Sequence, residues 1–214
     1  MGPAPVSFDL SLETEHFVFR FGQASADLMD DHAAALEAAY PRVTAELGQS
    51  GLPRITVRFY PDLESFRAAT GWDAWGLIQG PNAFLMVASP FQPVIVVHEF
   101  AHCVTLHLNG TIDNNPTWLW EAVAVYEARD FIHPQSIPCL ANRQFPSLSQ
   151  LNQRGGPCDI YRVGYTLSEY IVDGWGLPGL RDLIVANGDV PGVLGLSVAE
   201  FEGGWQRFVE ERYL

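Results

Sequence analysis

Two histidines with three residues between them constrain this chain more than any other feature. They enclose a glutamate in the run His98-Glu99-Phe100-Ala101-His102. On an α-helix, residues four apart share a face, one turn above the other; on a strand the same spacing carries them far apart. A helix is therefore predicted over Pro93–Leu108, with Pro93 in its first turn and Asn109-Gly110 as its stop. The local run Val94-Ile95-Val96-Val97 prefers strand, so the helix rests on what the histidines need. On one face, two imidazoles can bind a single zinc ion, and Glu99 can take a proton from a water held there. Catalytic zinc commonly has three protein ligands and one open position. Glu121, separated from His102 by eighteen residues, supplies the third.

The remaining composition narrows the class. With 214 residues, 48% of them hydrophobic and 17% charged, the chain has the makings of one well-cored catalytic domain. Residues 1–110 would form its sheet and metal-helix half, and 111–214 a mainly helical half. A formal net charge of −13 argues against nucleic acid, whose phosphates need a basic surface. The longest apolar stretch, Pro93–Leu108, is too short and too interrupted by His98, Glu99, His102 and His107 to span a bilayer. Met1-Gly2-Pro3-Ala4-Pro5 lacks the basic head and apolar core of a signal peptide. Cys103 is placed as a small core residue. Cys139 and Cys158 flank a loop, where they can pair or stay reduced; pairing would favour an oxidising compartment. Export or a periplasmic location is expected over the cytoplasm.

Strands are predicted at 16–21, at 54–60 from alternating apolar residues, and at 83–88 from an apolar run bounded by Gly80-Pro81-Asn82 and Ser89-Pro90. A long helix is expected over 24–47, broken or kinked at Pro41, and a short one over 63–69. Asn115 is expected to cap a second metal-site helix, with Pro116 at its first position, carrying Trp118, Leu119, Glu121, Ala124 and Tyr126. Trp118 and Trp120 are read as core and rim aromatics, and Glu127 as serving a salt bridge or the surface. Residues 131–159 are expected to be irregular. Three helices then close the chain from about Ile160, Pro178 and Ser197, the last opened by the capping box Ser197-x-x-Glu200. Strands first and helices last make an α+β fold. His16, His32 and His133 are expected at the surface, and His107 at a helix end.

The run Trp118-Leu119-Trp120-Glu121-Ala122-Val123-Ala124-Val125-Tyr126, behind the His98–His102 segment, resembles the gluzincin pattern H-E-x-x-H, eighteen residues, W-L-x-E-[GA]-x-A-x-Y. This is the signature of the M1 aminopeptidase catalytic domain and its shorter peptidase-MA-like relatives. Tyr161-Arg162-Val163-Gly164-Tyr165 is similar to that family's Y-x-x-G segment. The resemblance implies a thermolysin-like (zincin) fold, with Zn2+ held by His98, His102 and Glu121. It implies Glu99 as general base and Tyr161 as hydrogen-bond donor to the oxyanion. Tyr165 is the fallback donor, and core packing the alternative role for Tyr161. In such peptidases an edge strand pairs with the substrate backbone, which here points to Ala83, Phe84, Leu85 and Met86.

Departures from the pattern refine the expectation. Gly80-Pro81-Asn82-Ala83-Phe84-Leu85-Met86 carries no acid to grip a substrate's free amine, which favours endopeptidase over aminopeptidase activity. Val125 stands where the thermolysin-like branch has an aspartate. Thr105 and Leu108 occupy positions where metzincins need Gly and His. The expectation is a zinc metallopeptidase acting on a peptide or protein. Its rival is a catalytically silent zinc-binding module that recognises peptides or proteins.

Overall fold

The computed structural model describes residues 6–90 and 93–214; the reading of Met1–Pro5 lies outside them. The chain is α+β and divides into two compact units, Met1–His107 and Leu108–Leu214. Among the described residues, no helix is long and apolar enough to cross a membrane.

The first unit carries a five-stranded mixed sheet. Its strands are β1 (Leu10–Glu13), β2 (Phe17–Phe21), β3 (Ile55–Tyr60), β4 (Gly76–Ile78) and β5 (Ala83–Val87), in the order β1-β2-β3-β5-β4. The three central strands, β2, β3 and β5, run parallel, and the outer strands β1 and β4 are antiparallel to their neighbours. In β2 and β3 apolar side chains alternate with exposed Arg20 and Arg58, so one face buries Phe17, Phe19, Val57 and Phe59.

Three helices accompany the sheet: α1 (Met29–Glu46), α2 (Leu63–Thr70) and α3 (Pro93–Leu108). Phe100 of α3 meets the Phe17 ring edge-on at 5.2 Å and stacks on Tyr40 of α1 at 5.6 Å. Burying a ring of that size is worth about 1.5–3 kcal/mol, and it fixes the rotation of the helix that carries Glu99. His16, at the start of β2, is fastened to α1. Its Nδ1 lies 2.6 Å from Glu37 Oε2, its backbone N–H donates to Glu37 Oε1, and its ring stacks on Tyr40.

The second unit is helical: α4 (Thr117–Glu127), α5 (Pro138–Ala141), α6 (Leu148–Leu151), α7 (Ile160–Val185), α8 (Val190–Leu194) and α9 (Val198–Tyr213). α7 packs along α4, and Gly164 sets how closely, because a Cβ there would lie 3.0 Å from Ala122 Cα. α7 is non-helical at Gly176 (φ 68°, ψ 179°), just before Pro178, where the sequence predicts a new helix. α9 begins with the expected Ser197/Glu200 capping box and buries Trp205, whose Nε1–H donates to Thr166 Oγ1.

Several expectations are corrected. Of the break or kink expected at Pro41, the break is absent, since α1 continues through it, and the first residues of the expected helix form a separate 3-10 turn at Gln23–Leu28. β1 and β4 escape sequence patterning because they are four and three residues long. The α4 cap falls on Pro116, which makes no side-chain cap. Asn152 supplies one instead, its Oδ1 accepting the Trp118 backbone N–H at 3.1 Å. Residues 131–159 contain α5, α6 and a 3-10 turn at Pro134–Ser136. Glu127 and Trp120 are buried, not at surface or rim. His32 is also buried, against the Phe59 ring, and that burial pushes its pKa down despite opposing effects from Asp31 and the Ser89 backbone. His16 is half-buried and partnered, whereas His133 is exposed. Of the two states left open for Cys139 and Cys158 the structure has the disulfide, and Cys103 is buried as expected, its thiol pKa pushed up by that burial.

Candidate metal centre

α3 forms over the predicted residues despite its strand-preferring start, and places His98 and His102 one turn apart. Their rings lie 4.6 Å apart at 90°. Glu121 comes from α4. One nitrogen from each histidine and a Glu121 oxygen all lie within 4.8 Å of one another, a group that can hold a metal ion. His102 and Glu121 are buried and His98 is half-buried. Two imidazoles and a carboxylate suit zinc well.

Glu99 is also buried, with Gly76 of β4 against it. A Cβ on Gly76 would stand 2.5 Å from Glu99 Oε1 and 2.6 Å from Cδ and Cγ. Space, not backbone conformation, favours glycine there: a side chain at 76 would have to displace the Glu99 carboxylate. A carboxylate is a group that can take up and release a proton, and this one is buried on the helix that carries the two imidazoles.

Glu121 keeps only 3% of its side chain exposed, so its charge needs compensation inside the fold. Two donors converge on its Oε1: the Tyr161 hydroxyl at 3.0 Å and Arg154 Nη2 at 3.0 Å. Tyr161 sits in the first turn of α7, one turn before Gly164, so the close α7–α4 approach brings its hydroxyl to Glu121. The phenol remains partly exposed. Tyr165, the fallback, packs instead on the Tyr126 and Phe131 rings at 5.2 and 5.0 Å.

The strand assigned to substrate contact does not have a free edge. Ala83–Met86 lie in β5, which pairs with β3 on one side and β4 on the other, so the outer strand on that side is β4. His107 stands at the end of α3 as expected, its Nε2 2.8 Å from Asn82 Oδ1.

Two residues of these surroundings are invisible to sequence reasoning. Gly76 matters through what its missing side chain makes room for, and Arg154 lies in a segment without periodicity, followed by Gly155 and Gly156, both at positive φ. No family model, no curated protein and no solved structure matches the chain.

Proposed function

We propose that this chain is a zinc-dependent metallopeptidase of thermolysin-like fold, cleaving within peptide or protein substrates. The observation that carries the reading is the close grouping of His98, His102 and Glu121, with Glu99 on the same helix turn as the two histidines. When bound, zinc acts as a Lewis acid, lowering the pKa of a water and polarising the scissile carbonyl.

The chain's own residues do the rest. Glu99 takes a proton from the attacking water and delivers it to the leaving amine. Gly76 leaves room for that carboxylate beside β4, whose outer edge can accept an extended peptide through backbone hydrogen bonds. The Tyr161 hydroxyl, already a donor in this position, turns to the tetrahedral oxyanion. The Cys139–Cys158 disulfide favours an oxidising compartment, consistent with an exported enzyme.

The test is metal analysis paired with cleavage of a mixed peptide library, with and without chelator. About one zinc per chain and chelator-sensitive cleavage are expected. Glu99→Gln should retain zinc and lose nearly all turnover. A fully active Glu99→Gln protein removes the base, and zinc binding without cleavage of any peptide leaves a recognition module.

A further inference from the structure

Arg154 places a guanidinium on Glu121, and its position has consequences for metal binding. Its guanidinium donates to Oε1 of a carboxylate that is itself a candidate metal ligand. The Tyr161 hydroxyl donates to the same oxygen. These two donors differ in what they do when a divalent ion arrives. A neutral phenol can stay and orient the ligand, as groups around metal ligands commonly do. A guanidinium brings a full positive charge to within hydrogen-bond distance of an oxygen shared with a dication, where the two cations repel strongly in a poorly solvated setting.

Glu121 and Arg154 are also unequal in their freedom. Glu121 is 3% exposed and held in α4, whereas the Arg154 side chain is 50% exposed. Arg154 has somewhere to go. The same Nη2 already donates to Asn114 Oδ1, on an exposed residue, so the guanidinium keeps a partner after leaving the carboxylate.

We propose that Arg154 is an exchangeable counter-cation of the metal site: it neutralises Glu121 when no metal is bound and gives way when a divalent ion takes that carboxylate. The inference rests on the metal centre proposed above. It predicts that the native protein binds metal more weakly than its ligand set allows, because part of the binding energy displaces the guanidinium.

The experiment measures zinc affinity by competition with a chromogenic chelator, and thermal unfolding with and without zinc, for the full chain and for Arg154→Ala, Arg154→Gln and Arg154→Lys. A hydrogen bond to a charged group is worth enough to make zinc bind about ten- to hundredfold more tightly in Arg154→Ala and Arg154→Gln. Arg154→Lys, which keeps the charge, should stay near the native affinity. Without metal, Arg154→Ala should melt about 2–4 °C below the native protein, and zinc should raise its melting temperature by more than it raises the native one. If one substitution prevents folding, the other two still report the comparison. Equal or weaker zinc binding in both neutral variants, with native zinc binding intact, overturns the exchange alone and makes Arg154 a fixed orienting partner. Absence of zinc binding in every protein overturns the metal centre together with it.

Discussion

Gly76→Ala isolates the role of the contact between β4 and Glu99. The added methyl carbon would lie 2.5–2.6 Å from three atoms of the Glu99 side chain. Ordinary carbon–carbon contact needs about 3.5–4.0 Å, so something must move by roughly 1 Å. Backbone conformation contributes no strain at Gly76, which is not among the positive-φ glycines. The carboxylate is the movable partner, because β4 is held by its pairing with β5. A displacement of about 1 Å in a catalytic group can cost on the order of 100-fold in rate, while overpacking a buried contact costs about 1–3 kcal/mol of stability. Gly76→Ala should therefore fold, bind zinc like the native chain, and cleave peptides about 100-fold more slowly. The assay is turnover of the best library peptide at matched zinc content, with thermal unfolding in parallel. Native turnover in a fully folded Gly76→Ala protein would refute the placement of Glu99 as the proton carrier beside β4.

Gly164→Ala sets a Cβ 3.0 Å from Ala122 Cα, so it should separate α7 from α4, cost about 1–3 kcal/mol in denaturant unfolding, and lower turnover by withdrawing Tyr161. Replacing Cys139 and Cys158 together by Ser opens a linkage with sequence separation 19, and should lower stability by about 3 kcal/mol in chemical denaturation. Burial raises the Glu37 carboxyl pKa, but hydrogen bonds from the His16 side chain, Thr14 and the His16 backbone outweigh it, holding the group below its ordinary value of 4.5. Its contribution is thus present above that value and is lost as pH falls through the lower folded one; Glu37→Gln should flatten this part of the stability–pH curve, measured by urea unfolding from pH 6 to pH 3.

Elements with a strong period or punctuation were legible in the sequence. α3 takes the bounds that the histidine spacing indicated against the strand preference of Val94–Val97, and α9 opens at its capping box. The three central strands β2, β3 and β5 could be read from the same signals, and the His98, His102, Glu121 group from its spacing. What escaped depends on contacts between residues distant in sequence. Asn152 caps α4 from thirty-four residues away, and His16 finds Glu37 across twenty-one. β5 looked like an edge strand because β4, with only three residues and an initial glycine, leaves no alternation to detect. The burial of Glu127 was not legible, because a single acid near a helix end carries no sign of it.

The loop that carries Arg154 is pegged near both ends, by the hydrogen bond from the Trp118 amide to Asn152 and by the covalent link from Cys158 to Cys139. A segment tethered this way has little room to swing as a flap. The guanidinium must leave Glu121 by turning about its own side-chain bonds, a motion of picoseconds to nanoseconds in exposed residues. Loading with metal should then proceed at a rate set by encounter and loss of the ion's hydration shell, with no slow opening step to appear as a lag in stopped-flow traces.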